Sequence, residues 1–317
     1  MKNLPKIAIS IGDLNGVGVE IALKSHKIVK TFCRPIYCIN SKMLNQASKL
    51  LNYEVPRDFE IFETKGEFKI VAGKVCKKAG LYSYNSFIDA INLAKNKNVE
   101  AICTLPINKN SWDKAKIDYK GHTEVLRDIF KKNAIMMLGC PKLYVALFTE
   151  HIALKDVAKK IKKDDLIKFL LDFNQSTNAK KVCVLALNPH AGDGGVLGDE
   201  EKVINKAIKK ANKILQKEIF YGSYVPDTAF SPKNRENFNY FVAMYHDQGL
   251  APLKALYFEE SINVSLNLPI IRTSVDHGTA FDIAYKGANI SNLSFLNAIK
   301  EAINLAKIKN ENFTRVL

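Results

Sequence analysis

Three histidines follow three different apolar runs of strand length, an arrangement that fits a site for a divalent metal ion. His151, His190 and His246 each lie within a few residues of the end of such a run. The carboxyl ends of parallel strands meet at one edge of a sheet, where ligands bind. Three neutral imidazoles that leave one coordination position open form a catalytic site for a divalent cation. We therefore predict that these rings converge above one sheet edge or across a subunit boundary; the alternative is three separate structural histidines.

Two aspartates add carboxylates near this candidate metal site. Asp247 directly follows His246, and Asp227 follows Pro226. Asp247 could orient the adjacent ligand, accept a proton or bind solvent. A loop-capping aspartate is the structural alternative, and the sequence alone leaves both interpretations open.

A second set of residue types fits an anionic ligand. Arg272 is one of six arginines in a chain with 47 basic residues, and it lies at the end of a predicted strand. Its planar guanidinium can bind a phosphate or a carboxylate at two points. Lys254 and Asn263 precede it and could complete such a clamp. For Lys254, a solvated surface position is the ordinary alternative in a Lys-rich chain.

Two further segments are suited to binding a ligand through the backbone. His122 and Thr123 begin a helix-like segment, and a helix N-terminus can hold a phosphate. The alternative is that Thr123 simply caps the helix. The segment 276–289 is dense in small residues, which let a ligand approach the backbone closely. The glycine-containing loop 12–18 matches neither the Walker A motif nor the GxGxxG fingerprint, so it is a weak signal on its own.

The elements that carry these residues predict an α/β protein with a largely parallel sheet, because strand-length apolar runs alternate with Lys-rich segments of helical spacing. The predicted strands are Ile7–Ile11, Pro35–Ile39, Ala101–Leu105, Leu143–Phe148, Val182–Leu187 and Phe241–Tyr245, and the predicted helices are Val19–Lys30, Ser41–Leu51, Phe87–Lys95 and Asp199–Leu215. A chain of 317 residues favours two domains, since single cores stop growing at roughly 250–300 residues.

The composition excludes several classes of protein. The formal net charge is +15, but the lysines are spread along the whole chain, so we do not expect nucleic acid as a partner. None of the six cysteines forms a CxxC pair, which excludes a zinc finger and indicates free thiols in a reducing compartment. We find neither a signal-peptide core nor an apolar run of membrane-spanning length. The expected location is therefore the cytoplasm, with no membrane partner.

Read in order along the chain, these motifs resemble those of the 4-hydroxythreonine-4-phosphate dehydrogenase (PdxA) family of vitamin B6 biosynthesis. The resemblance extends over nearly the whole sequence, and the segments that carry it are Gly12–Gly18, Pro106–Lys109, Gly121–Glu124, Leu187–Gly192, Tyr245–Gly249 and Arg272–Thr279. Each segment is moderately specific alone, and together, in this order and spacing, they are highly specific.

The resemblance implies an α/β, two-lobed fold like that of isocitrate and isopropylmalate dehydrogenases, with an active-site cleft between the lobes. Residues 1–115 plus 295–317 would form the first lobe. Residues 116–294 would form the second, carrying the metal, substrate and cofactor residues. Members of the family are homodimers, and the metal site would be shared across the interface.

The resemblance also assigns roles to individual residues. The metal ligands would be His151, His190 and His246. Asp247, which is adjacent to His246, is our own candidate for the catalytic proton acceptor. The substrate-binding residues would be His122, Thr123, Lys254, Asn263 and Arg272. The cofactor-binding residues would be His277, Gly278, Thr279, Asp282 and Asn289. The implied cofactors are NAD or NADP and one divalent cation per subunit, which could be Zn²⁺, Mg²⁺ or Co²⁺.

The implied reaction is the NAD(P)-dependent oxidation of 4-phosphooxy-L-threonine to 2-amino-3-oxo-4-phosphooxybutanoate, which loses CO₂ to give 3-amino-2-oxopropyl phosphate. Dehydrogenation of a threonate or erythronate phosphate by the same fold is the nearest alternative, and a binding protein without turnover is a more distant one. Leu14, Asn15, Val196 and Tyr285 depart from the family pattern. We expect the first two to affect loop rigidity and Tyr285 to affect cofactor affinity or the choice between NAD and NADP.

Overall fold

The computed structural model describes residues 4–314, and it is an α/β structure of alternating strands and helices, as predicted. The strands are β1 Lys6–Ser10, β2 Arg34–Cys38, β3 Ile61–Phe62, β4 Ala101–Thr104, β5 Ile135–Cys140, β6 Leu143–Leu147, β7 Val182–Leu185, β8 Phe220–Tyr224, β9 Tyr240–Ala243, β10 Ile262–Leu266 and β11 Arg272–Val275. The helices are α1 Gly18–Val29, α2 Ser41–Leu51, α3 Lys77–Lys95, α4 Lys109–Lys114, α5 His122–Phe130, α6 Val157–Lys160, α7 Lys163–Thr177, α8 Glu200–Leu215, α9 Pro226–Ala229, α10 Pro232–Asn237, α11 His246–Tyr257 and α12 Leu293–Thr314, with 3₁₀ turns at Leu154–Asp156 and Pro189–Gly195. Within the described part of the chain, no helix combines the length and the apolar character needed to cross a bilayer.

The predicted elements differ from the observed ones mainly at their ends. Helix α2 has the predicted bounds, and the six predicted strands each end one or two residues later than the observed ones. Helix α3 begins at Lys77, ten residues before the predicted start at Phe87. Its first turns bury Ala79, Gly80 and Ser83, small residues that give no apolar periodicity.

The chain divides into two compact units, residues 1–134 with 268–317 and residues 135–267. The predicted division at 115 and 294 therefore differs from the observed one. Strand β11 pairs in parallel with β4, which ties the segment after residue 268 to the first unit. Helix α5 belongs to the same unit because Val125 and Leu126 pack in one core with Ile102 and Trp112. Consequently the predicted cofactor loop lies in the first unit rather than in the second.

The first unit has a parallel sheet in the order β3-β2-β1-β4-β11. Strands β1, β4 and β11 are buried along nearly their whole length, as expected for parallel strands covered on both faces. Residues Ser10 and Thr104 are opposite one another at the carboxyl ends of β1 and β4. The loops that leave this edge carry the first unit's candidate ligand residues.

The second unit has a mixed sheet in the order β10-β5-β6-β9-β7-β8. Strands β6, β9, β7 and β8 are parallel to their neighbours in that order, whereas β5 runs antiparallel to both β10 and β6. The two-residue connection between β5 and β6, Pro141-Lys142, is too short for a parallel crossover and forces the antiparallel pairing.

Helices α3 and α4 of the first unit pack closely because α3 has a glycine at their contact. A Cβ atom on Gly80 would lie 2.0 Å from the carbonyl oxygen of Ser111. The Ser83 hydroxyl donates to the Gly80 carbonyl at 2.8 Å and accepts from the Trp112 indole N–H at 2.8 Å. Trp112 in turn contacts the His122 ring, with centroids 5.7 Å apart. This contact therefore positions one of the predicted substrate residues.

Replacing Gly80 with Ala tests this packing. Alanine in a helix interior is ordinarily better than glycine by about 1 kcal/mol, but here the methyl group would collide with the α4 backbone. We expect Gly80→Ala to lower the free energy of unfolding by about 1–3 kcal/mol, as overpacked cores do. Denaturant unfolding of the wild type and the variant measures this difference, and a more stable variant would contradict the packing described.

Candidate active site

Two of the three predicted metal ligands come together at the carboxyl end of the second unit's sheet. Strands β6 and β9 are parallel neighbours, and His151 and His246 follow them. The Thr149 hydroxyl donates to the Met244 carbonyl at 2.6 Å, which ties the two strand ends together. The His151 and His246 ring centroids are 5.4 Å apart. The two rings therefore lie where the strand-end argument places them, and their role as metal ligands stays a prediction.

The third predicted ligand, His190, follows β7, which is the other parallel neighbour of β9. Gln248 joins the two strand ends, because its side chain accepts from the Met244 N–H at 2.8 Å and donates to the Ala186 carbonyl at 2.7 Å. His190 and Gln248 line a pocket of about 220 Å³ whose other walls are Leu187, Pro189, Pro226, Asp227 and Tyr245. Asp227 thus shares a pocket with one of the three histidines.

The donor chemistry of the histidine pair fits a divalent cation. Two imidazole nitrogens about 2.1 Å from one tetrahedral ion place their ring centroids roughly 5 Å apart, close to the 5.4 Å between His151 and His246. Asp247 hydrogen-bonds the His246 Nδ1 at 2.9 Å, which leaves Nε2 to face a ligand. Among residues 4–314 of a single chain, however, no cluster of three His, Cys, Asp or Glu side chains is arranged to hold an ion.

The first unit places Arg272 in a buried polar cluster. The side chain is only 3% exposed. Its Nη2 donates to the Thr104 hydroxyl at 2.7 Å and to the His122 Nδ1 at 3.1 Å, while Nε donates to the same hydroxyl at 3.2 Å. Burial lowers the pKa of Arg272 to about 10, so the group is still positively charged at neutral pH.

The Arg272 contact determines the protonation of His122. A guanidinium can only donate, so the His122 Nδ1 must accept and the proton lies on Nε2. Burial and the charge of Arg272 hold the pKa of His122 well below its ordinary value of 6.5. The ring packs edge-on against Phe87 at 4.4 Å, and its buried Nε2 has no hydrogen-bond partner within the described residues. A neutral imidazole with an unpaired donor is suited to a substrate oxygen.

Three other predicted substrate residues have less distinctive surroundings. Thr123 is the second residue of α5, and the helix is capped by Gly121 without a side-chain hydrogen bond, so Thr123 is not the cap. Lys254 is half-buried on α11, with its ammonium 5.2 Å from the Phe258 ring centroid. Asn263 lies on β10, and its buried Oδ1 has no hydrogen-bond partner in the part of the chain that the structure describes.

The predicted cofactor residues lie in the loop between β11 and α12. His277 Nδ1 is 3.0 Å from the Gly278 carbonyl oxygen, and among the described residues its buried Nε2 has no partner. Thr279 is buried, whereas Asp282 and Asn289 are exposed. A Cβ on Gly278 would meet nothing within 4 Å, so the backbone there is open to a ligand. These features fit a loop that binds a nucleotide mainly through its backbone.

Asn15 and Tyr285, two residues expected above to depart from the family pattern, both hold the loop 12–18 in place. The Tyr285 hydroxyl donates to the Leu14 carbonyl at 2.7 Å. The Asn15 side chain accepts from the Val71 N–H at 2.9 Å and donates to the Lys74 carbonyl at 2.7 Å. A hydrogen bond of 3.0 Å also joins the Val17 N–H to the Thr279 carbonyl. Asn15 and Tyr285 therefore stiffen the loop 12–18 through hydrogen bonds to the backbone.

Sequence reasoning missed Thr104 and Glu201. Thr104 accepts two hydrogen bonds from Arg272 and ends β4, so the strand-end argument was a usable signal for it. Glu201 hydrogen-bonds the backbone after β7 from the first turn of α8, and only its place in the fold reveals that contact.

Known proteins match this chain over more than nine-tenths of its length. The model of a family described as pyridoxal phosphate biosynthetic protein PdxA matches residues 31–302. A Sulfurimonas denitrificans protein named 4-hydroxythreonine-4-phosphate dehydrogenase is 63% identical over 302 residues, covering 95% of this chain and 98% of its own. A Campylobacter fetus protein of the same name is 58% identical over 304 residues, covering 96% and 99%.

Solved structures agree with these matches. The crystal structure of a 4-hydroxythreonine-4-phosphate dehydrogenase from Burkholderia phymatum is 33% identical and superposes with a TM-score of 0.78, covering 95% of this chain and 98% of that chain. The likeness confirms the predicted fold, the type shared with isocitrate dehydrogenase.

The first unit also contains a buried carboxyl group at the start of the loop 12–18. Asp13 is fully buried, and its Oδ1 accepts the Asn15 N–H at 3.0 Å. Burial raises the pKa of Asp13 from 3.8 to about 6, against smaller opposing effects of hydrogen bonds from Asn15 and Ser111. The folded protein therefore binds this proton more tightly than the unfolded chain does.

This pKa predicts the pH dependence of an Asp13→Asn variant. Above about pH 6 the wild type holds a buried charge that the variant lacks, and a rise from 3.8 to about 6 corresponds to roughly 3 kcal/mol. We expect the variant to be more stable than the wild type at pH 7–8, with the difference shrinking as the pH falls toward 4. Thermal unfolding across this pH range measures it.

The exposed Asp118 provides the control, since Asp118→Asn removes the same charge from the surface. It should change the melting temperature little at any pH. If the Asp13→Asn variant is less stable than the wild type at pH 8, the conclusion that burial raises the pKa of Asp13 is wrong.

Proposed function

Because this chain belongs to the PdxA family of pyridoxal phosphate biosynthetic proteins, we propose that it oxidises 4-hydroxythreonine 4-phosphate (4-phosphooxy-L-threonine). The product of the oxidation is 2-amino-3-oxo-4-phosphooxybutanoate, a β-keto acid that loses CO₂ to give 3-amino-2-oxopropyl phosphate. The observation that carries the proposal is the match, over almost the full length of both chains, to relatives that bear this enzyme's name.

The first unit supplies the groups that we propose bind the anionic part of the substrate. Arg272 is charged, buried and held by Thr104, so it offers a fixed positive charge with little mobility to lose on binding. The unpaired Nε2–H of His122 adds a neutral donor. The first turn of α5, which contains Thr123 and has no side-chain cap, adds backbone N–H groups and the positive end of a helix dipole.

The second unit supplies the groups that we propose bind the divalent cation. His151 and His246 are the pair whose spacing fits a shared ion, and His190 is the third imidazole. When bound, the cation would lower the pKa of the substrate hydroxyl. The hydrogen bond that the Asp247 carboxylate accepts from the His246 Nδ1 orients His246, and the assignment of Asp247 as the proton acceptor stays a prediction.

We further propose that the enzyme is a homodimer with the metal site at the subunit interface. One chain by itself brings together only two of the three imidazoles among its described residues. The apolar side chains that follow His151 and His190 in the chain are exposed, Leu154 at 68% and Val196 at 80%. Exposed apolar side chains beside a functional site are typical of a surface that another protein covers.

The loop that contains His277, Gly278, Thr279, Asp282 and Asn289 is the proposed binding site of NAD or NADP. The nicotinamide ring accepts the hydride of the oxidised carbon, and the protein's part is to bind and orient the cofactor. The open backbone at Gly278 and the unpaired Nε2 of His277 support this assignment.

The proposed reaction is tested by following nicotinamide reduction with the purified full-length protein. The substrates are 4-phosphooxy-L-threonine and, for comparison, threonate 4-phosphate and erythronate 4-phosphate, each with NAD and with NADP. We expect the threonine derivative to give the highest kcat/KM. A clear preference for a threonate or erythronate phosphate would move the assignment to another dehydrogenase of the same fold.

Replacing His246 with Ala tests the metal site. The substitution removes one imidazole of the observed pair, so metal content and turnover should fall together, with kcat reduced at least 100-fold, or about 2.7 kcal/mol in activation free energy. Metal analysis and steady-state kinetics measure both. Wild-type protein treated with a chelator and then resupplied with the ion is the control, because it should lose activity and regain it. A variant that keeps both metal and activity would contradict the assignment.

Replacing Arg272 with Lys tests the anion site. An ammonium cannot make the forked contacts with Thr104 and His122, so we expect KM for the phosphorylated substrate to rise about 10-fold or more, equivalent to roughly 1.5–3 kcal/mol. The exposed Arg34, paired with Glu60, supplies the control substitution Arg34→Lys, which should leave KM unchanged. An unchanged KM in Arg272→Lys would show that Arg272 does not contact the substrate.

A further inference from the structure

The loop that carries His190 has an unusual backbone. Six consecutive residues have positive φ, namely His190 at 50°, Ala191 at 54°, Gly192 at 80°, Asp193 at 44°, Gly194 at 66° and Gly195 at 108°. Three of them are not glycine, and side-chain-bearing residues rarely adopt this left-handed conformation. Such a backbone persists only where its surroundings hold it. The direction of the His190 side chain therefore depends on whatever fixes this loop.

A buried carboxylate contacts the entrance to the loop. Glu201 is the second residue of α8 and is 6% exposed. Its Oε1 accepts the N–H groups of Leu187 at 3.0 Å and Asn188 at 2.8 Å, and its Oε2 accepts the Asn188 Nδ2 at 3.1 Å. One side chain thus fixes two successive peptide groups and one amide directly before Pro189-His190.

The same carboxylate packs against the middle of the loop. A Cβ atom on Gly192 would lie 2.6 Å from the Glu201 Oε2, so only glycine fits there. A Cβ on Gly198 would lie 2.4 Å from the Asn188 Nδ2, which closes the far side of the loop. The Leu197 N–H donates to the Gly192 carbonyl at 3.0 Å. The loop therefore packs tightly against Glu201 at Gly192 and against Asn188 at Gly198, whereas Gly194 is open to solvent.

We propose that Glu201 is a positioning residue that holds the left-handed 190–194 loop so that the His190 imidazole can bind the divalent cation. This inference rests on the proposed function, because it takes His190 as a metal ligand. Glu201 itself touches neither the ion nor the substrate. Its negative charge is favoured at the N-terminus of α8, where the side chain accepts three hydrogen bonds from Leu187 and Asn188.

The test compares Glu201→Gln and Glu201→Ala with the wild type, all as full-length protein. Glutamine keeps the shape of the side chain but replaces Oε2 with an NH₂ group. This group would face the Asn188 Nδ2, so that two hydrogen-bond donors would oppose each other. Rotating the Asn188 amide by 180° would not remove this repulsion. In the wild type the Glu200 Oε2 accepts a hydrogen bond from the Asn188 Nδ2 at 2.7 Å, and after the rotation two oxygens would face each other there. Circular dichroism first establishes that each variant is folded.

Two measurements follow on each folded variant. Co²⁺ titration with visible absorption gives the metal affinity and the signature of imidazole coordination, and amide hydrogen exchange reports the loop directly. We expect Co²⁺ affinity to fall about 10- to 100-fold in Glu201→Ala, as when a partner of a metal ligand is removed. Glu201→Gln should show a smaller loss, and both variants should show faster exchange at Leu187 and Asn188.

Asp199→Asn is the matched control. Asp199 is exposed at the same end of α8 and pairs with Lys202 at 3.3 Å, so its replacement removes one negative charge without touching the loop. Its Co²⁺ affinity and loop exchange should stay within about twofold of the wild type. If Asp199→Asn bound Co²⁺ as weakly as Glu201→Ala, the loss of affinity would come from the charge at the helix end and not from the loop contact.

Two outcomes separate the inference from the proposed function. If the wild type binds Co²⁺ and a folded Glu201→Ala or Glu201→Gln protein binds it equally well, the positioning role is overturned while the metal site stands. If Glu201→Ala does not fold, Glu201→Gln decides. If the wild type shows no imidazole-type Co²⁺ spectrum, the proposed metal site itself is overturned, and the role of Glu201 toward it falls as well.

Discussion

The burial of one charged group, the Arg272 guanidinium, is the constraint on which the first unit's site depends. A buried charge is strongly unfavourable unless it is hydrogen-bonded, and here Thr104 and His122 provide the acceptors. Three separate elements, β11, β4 and α5, must therefore meet at one point. The same contact keeps the His122 imidazole neutral with its proton on Nε2. The need to pair the buried Arg272 charge thus determines where these three elements meet. It also determines that His122 offers an N–H donor to a ligand.

The second unit follows a different rule, the common direction of parallel strands. Strands β6, β9 and β7 end at the same edge, and a histidine follows each of them. Two hydrogen bonds fix these strand ends relative to each other. The Thr149 hydroxyl donates to the Met244 carbonyl, and the Gln248 amide donates to the Ala186 carbonyl. Because the sheet fixes where the loops after these strands begin, short loops are enough to place the His151 and His246 ring centroids 5.4 Å apart.

Much of this arrangement could be predicted from the sequence, and the rest could not for physical reasons. Strand-length apolar runs and helical periodicity are local properties, so the elements and the residues after them were predictable. The unit boundaries were not, because the β11–β4 pairing joins segments more than 160 residues apart. Nor was the buried role of Glu201, since a glutamate early in a helix ordinarily faces solvent and favours the helix dipole. Only the folded contacts reveal that it holds the loop after β7.

The most direct test of this account is nitrogen NMR of ¹⁵N-histidine-labelled protein, with His122 assigned through a His122→Gln variant. We expect the His122 ring to be neutral at pH 6.5, its ordinary pKa, with the proton on Nε2. We also expect the Nε2 resonance to move when 4-phosphooxy-L-threonine is added. A His122 ring that titrates near its ordinary pKa of 6.5, or that carries its proton on Nδ1, would contradict the buried Arg272–His122 contact.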